Sequence, residues 1–184
     1  MKLPETNPVD DPEGLWALQL ELLMRAEYTL GSRDPSKKIC DSRFVDDGPH
    51  IRNSPNMDAA WVELSRNGEN YWPTAVFEMA HETVHLLNPI AGNANYLEEG
   101  VAVEFSLGVQ SSYGVSVQTS MKSYLCALQL VRMLPGNPLE AGRLVRERVG
   151  ALSDATVPDL TELFPSVDET VLCKLTEEFD RNMA

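Results

Sequence analysis

The chain is poor in cysteine, histidine, aromatic side chains and positive charge. Cys40, Cys126 and Cys173 are its three cysteines in 184 residues. They are odd in number, far apart and form no CxxC pair, which argues against a disulfide framework and against a cysteine zinc site. Reduced thiols suit a cytoplasmic protein, and that is the expected location. Nowhere is there an apolar run of about 18 residues, so no membrane-spanning helix is expected. The opening MKLPETNPVDDPEG is acidic and proline-rich, with no apolar stretch, and does not read as a secretory leader. Lysine and arginine total 15 against 28 aspartates and glutamates, a net charge of −13. Such a surface repels phosphate backbones and anionic lipid, so neither nucleic acid nor membrane is an expected partner.

What is present fits a globular domain: 43% hydrophobic and 23% charged residues. The length suggests one domain. Residues 1–12 are expected to form a flexible acidic tail, and 13–184 a single domain. From Glu13 to about Leu30 the apolar residues Leu15, Leu18, Leu22 and Ala26 recur at helical spacing, and Gly31 closes the helix. Residues 33–58 are rich in Asp, Ser, Pro and Asn and suggest short strands and turns. Ala59–Ser65 alternates, with Ala60, Val62 and Leu64 facing one way and Trp61, Glu63 and Ser65 the other, as in a half-buried strand. Helices are expected over 74–87, from about Tyr96 to Leu107, and at about 120–134, 139–152 and 168–181, with a Ser/Gly-rich loop over 108–116.

The chemistry lies in His81-Glu82-Thr83-Val84-His85, an HExxH motif that uses two of the chain's three histidines. On a helix, positions i and i+4 share a face, so both imidazoles can reach one Zn²⁺. Glu82 lies about 100° around the helix from His81 and can act on a water without ligating the ion. Val76, Ala80, Val84 and Leu87 form an apolar side that can hold the helix in a core. A catalytic zinc commonly takes a third protein ligand. The next helix offers Glu98 and Glu99, about 100° apart in direction, of which one can face the ion.

HETVH followed by LEEGVA resembles the gluzincins, zinc metallopeptidases with two His and one Glu as ligands, and the chain length resembles the compact minigluzincin forms. The resemblance covers about residues 59–107. It implies Glu99 as the third ligand, being the Glu directly before Gly in the EGxA segment, with His81 and His85 as the other two. It implies zinc-dependent hydrolysis of peptide bonds with Glu82 as general base. It also implies an α+β, zincin-like fold: a small, mostly antiparallel sheet with an edge strand, an active-site helix and several further helices. The edge strand would be Ala60–Ser65, with a peptide or protein substrate added along it. The position where the family carries a further carboxylate is Val103, one residue before Glu104, which is a candidate partner for a ligand histidine. Tyr113, Tyr124 and Arg132 are candidate donors to a developing oxyanion. Glu78 reads as a charge near a helix N-terminus, His50 as an exposed turn residue, and Arg143, Arg146 and Arg148 as a solvated face. The alternative is a regulatory or interaction protein of the same fold that binds zinc with weak or no peptidase activity.

Overall fold

The computed structural model describes residues 3–90, 92–117 and 121–182. These form two compact units: 3–28, 32–90 and 105–117 make the first, and 29–31, 92–104 and 121–182 the second. No helix among the described residues is long and apolar enough to cross a membrane.

In the first unit, helix α1 (Pro12–Leu30) buries Leu15, Leu18, Leu22 and Ala26, the apolar side that the sequence spacing defines. Gly31 ends it at φ +93°, a backbone state that glycine adopts without strain. Ahead of α1 a 3-10 turn at Pro8–Asp10 is held by two hydrogen bonds. The Val9 amide donates to the Glu69 carbonyl at 3.0 Å, and the Trp72 indole donates to the Thr6 carbonyl at 2.7 Å.

Four short strands follow: β1 (Lys38–Ile39), β2 (Arg43–Val45), β3 (His50–Asn53) and β4 (Ala59–Ser65). β4 pairs in parallel with β1 and β2 on one side and antiparallel with β3 on the other. The expected mostly antiparallel sheet is therefore incorrect, and so is the expected edge strand at Ala60–Ser65. The cause lies in the chain path. The turn around Ser54 reverses β3 into β4, with Ser54 N–H bonded to Ala59 O at 2.8 Å. β4 then enters between β3 and the β1–β2 side, so both of its hydrogen-bonding sides are used. A substrate strand cannot simply be added there. β1 and β2 are two pieces of one side of the sheet, separated by a bulge in which residues 40–42 stand opposite 61–62 of β4.

Ala60, Val62 and Leu64 are fully buried, as the alternation requires. Glu63, on the opposite face, is only 1% exposed. Arg43 from β2 and Arg52 and His50 from β3 cover it, together with Trp61. Its Oε1 accepts from Arg43 Nε (2.9 Å), Arg43 Nη2 and Trp61 Nε1 (3.0 Å). Its Oε2 accepts from Arg52 Nε (3.2 Å) and Nη2 (3.1 Å) and lies 2.7 Å from His50 Nε2. Burial pushes this carboxyl up, but the hydrogen bonds from Trp61, Arg43, Arg52 and His50 outweigh it and hold the pKa at about 2.

Helix α2 (Trp72–His85) packs on β4. Helix α3 (Tyr96–Tyr113) belongs to the second unit through Glu104 and to the first from Phe105 on. It runs six residues past the predicted end, through Gly108. The burial of Phe105 and Val109 on its inner side offsets the weak propensity of the Ser/Gly stretch. The second unit continues with α4 (Lys122–Val131), α5 (Pro138–Val149), α6 (Val157–Leu163) and α7 (Glu169–Thr176). The start expected for α4 near residue 120 lies outside the described residues. Side-chain caps begin three of these helices: Asn137 for α5, Thr156 with Asp159 as a capping box for α6, and Asp168 for α7. Arg146, expected on a solvated face, is 7% exposed, and its Nη1 donates to the Leu30 and Gly31 carbonyls at 2.6 and 2.7 Å. It satisfies carbonyls that α1 leaves open at its C-terminus.

Candidate metal centre

α2 starts from Tyr71 in extended conformation, with Pro73 in the first turn, where its missing N–H costs nothing. Val76, Ala80, Val84 and Leu87 are buried, in agreement with their expected anchoring role. The polar side is buried as well. His81 is 6% exposed, Glu82 4% and His85 9%. A helix buried on every side belongs to an interior, so its polar groups need partners there.

The two imidazoles sit one turn apart, ring centroids 5.2 Å from each other and planes at 61°. Their Nε2 atoms are 3.3 Å apart. Two nitrogens at about 2.0–2.1 Å from one tetrahedral ion lie about 3.3–3.4 Å from each other. The pair therefore has the spacing of two ligands to one ion. His81 and His85 lie in the first unit and Glu99 in the second, and the three offer the ligand types of a metal group. Two imidazoles and a carboxylate make a donor set that zinc accepts, and other first-row divalent ions compete for it.

Glu99 lies in the first turn of α3, where the helix dipole favours a carboxylate. Asn95 fixes that turn: its Oδ1 accepts the Glu98 amide at 2.9 Å, and its Nδ2 donates to the Leu152 carbonyl at 3.0 Å. The Asn95-x-x-Glu98 spacing is a helix-start signal that the sequence reading did not use. Gly100 explains the small residue after Glu99. A Cβ there would lie 2.4 Å from the Ala127 carbonyl oxygen and 2.6 Å from Val131 Cγ1, so glycine lets α4 approach. Glu98 is buried too, at 6% exposure.

Several other candidates are committed elsewhere. Glu78 is not a free charge near a helix end. Its Oε2 accepts the Ser65 amide at 2.9 Å and its Oε1 the Ser65 hydroxyl at 2.5 Å, which fastens α2 to the end of β4. Burial raises its pKa, against the lowering effect of those two bonds. No local pattern announces this pairing, since Ser65 and Glu78 come from different elements. His50 belongs to the Glu63 cluster. Glu104 accepts from Arg132 Nε at 2.7 Å, so these two candidates pair with each other. The Tyr113 hydroxyl donates to Glu21 at 3.0 Å; burial first, then this bond, raises its pKa. The Tyr124 ring packs on Phe179, centroids 5.0 Å apart.

No protein-family model, no curated protein and no solved structure matches this chain. The functional reading therefore rests on the side chains themselves.

Proposed function

We propose that the protein is a zinc-dependent peptidase in which His81, His85 and Glu99 hold the ion and Glu82 is the general base. The 3.3 Å separation of the two Nε2 atoms carries this reading, supported by the ligand chemistry that the Glu99 carboxylate would add. When bound, zinc supplies Lewis acidity, which polarises a substrate carbonyl and lowers the pKa of water toward about 7. Glu82 takes the proton of the attacking water and hands it to the departing amine, so the carboxylate is regenerated in each turnover. Its place one residue after His81 turns it away from the ligand direction while keeping it within the same turn of α2. Asn95 and Gly100 serve as positioning residues by fixing the first turn of α3, which carries Glu99.

One observation favours a second reading. His81, Glu82, His85 and Glu99 are each less than a tenth exposed, and side chains so shielded offer a substrate little access, which suits a metal that holds structure without turnover.

Metal content by elemental analysis of wild type, His81→Ala and Glu99→Ala tests the ligand set. About one zinc per chain in the wild type, lost in both variants, is expected. A peptide-library cleavage screen with Glu82→Gln as the inactive control then separates the two readings. Zinc without cleavage supports the structural metal; no metal after zinc is added back overturns both.

A further inference from the structure

The first unit carries an open cavity of about 500 Å³ to which α2 contributes no lining residue. Trp16 of α1 and Trp61 of β4 supply aromatic walls, Lys38 and Arg43 positive charge, and Asp41 a single negative charge. The cavity forms at the bulge between β1 and β2. There the sheet edge leaves its regular ladder, and Asp41 stands between the two cations in sequence. Bulges of this kind redirect side chains and recur beside binding sites.

The Arg43 part of the cationic wall is held in place beforehand. Arg43 donates through Nε and Nη2 to the buried carboxylate of Glu63, and its guanidinium carbon lies 5.1 Å from the centre of the Trp61 ring. Its Nη1 has no hydrogen bond among the described residues. Lys38 and Asp41 likewise have no ion pair or side-chain hydrogen bond among them. The volume lies within the roughly 300–1,000 Å³ of small-molecule sites.

We propose that this cavity binds a free aromatic α-amino acid, with its ring against Trp16 and Trp61, its carboxylate at Lys38 and Arg43, and its ammonium at Asp41. The lining disfavours simpler ligands by leaving charge unmatched. An aromatic acid without an amine meets Asp41 with like charge. An aromatic amine without an acid meets Lys38 and Arg43. An uncharged ring compensates none of the three charged groups. A residue inside a peptide lacks both charges, and a residue at either end lacks one. The free zwitterion satisfies both signs and both indoles. This site is independent of the peptidase reading, because none of its lining residues is a ligand or the general base.

The test is titration of the full chain with L-phenylalanine, followed by calorimetry and by indole fluorescence, to which this ligand adds little. Saturable binding at one site per chain is expected, with 3-phenylpropionate and phenethylamine each at least about 10-fold weaker and L-alanine without saturation. Asp41→Asn and Lys38→Gln change exposed side chains, so unchanged circular dichroism and melting temperature are expected, with affinity about 3–10-fold weaker in each. Glu82→Gln keeps wild-type affinity, which makes failure here distinguishable from failure of the peptidase reading. Absence of saturation up to about 20 mM, equal affinity for L-phenylalanine and the two half-analogues, or wild-type affinity in both charge variants overturns the proposal.

Discussion

Glu63→Gln removes a charge on which two guanidiniums, an imidazole and an indole converge. The folded carboxyl is held at about 2, against an ordinary value of 4.5. At 1.36 kcal/mol per pKa unit this difference is worth about 3.4 kcal/mol at most. Glu63 itself is shielded, its side chain 2% exposed, but the arginines that cover it are 59% and 52% exposed, so water screens the pair from outside. Screening leaves roughly half, about 1.5–2 kcal/mol. Because the folded pKa lies below the unfolded one, this stabilisation is fully present above pH about 4.5 and is lost as pH falls toward 2. Urea unfolding followed by far-UV circular dichroism, wild type beside variant, at pH 7, 5 and 3.5 reads it directly. The wild type is expected to be more stable by about 2 kcal/mol at pH 7 and 5, with a narrower gap at pH 3.5. A gap below about 0.5 kcal/mol at pH 7, or one that does not change with pH, refutes the reasoning.

Gly100→Ala places a Cβ 2.4 Å from the Ala127 carbonyl oxygen; a loss of about 1–3 kcal/mol in thermal unfolding is expected, with reduced zinc uptake as α3 shifts. Arg146→Ala leaves the Leu30 and Gly31 carbonyls without their donor and should cost about 2–4 kcal/mol by urea titration. Zinc at about 100 times its dissociation constant should stabilise the wild type by about 2.7 kcal/mol and His81→Ala hardly at all, read as the shift in melting temperature. Thr156→Ala removes the cap of α6 and should cost about 1 kcal/mol, restored by Ser.

The parts of this protein that were legible in its sequence are those with local causes. His81 and His85 share a face because the helix repeat puts i and i+4 together, and the structure sets their nitrogens 3.3 Å apart. Leu15, Leu18, Leu22 and Ala26 mark the buried side of α1 by the same rule. Of the sheet, one strand was legible with its bounds, and residues 33–58 only as unplaced short strands and turns. β1, β2 and β3 are two to four residues long, too short to show a period, and nothing in alternation says which neighbours β4 takes. Glu63 illustrates the limit: its position in the alternation assigns it to the outer face, while its cover comes from strands β2 and β3. Glu78 and Arg146 fail for the same reason, since each is bonded to backbone distant in sequence.

The pairing of β4 also fixes an order of events during synthesis. Among the described residues, β1, β2 and β3 pair with β4 and not with one another. Until β4 has left the ribosome, the preceding strands have no partner within the sheet, and α2, which packs on β4, follows seven residues later. Sheet formation therefore waits for β4, which emerges about midway along the first unit. The brevity of β1, β2 and β3 fits that wait, because strands of two to four residues offer little backbone for a neighbouring nascent chain to pair with.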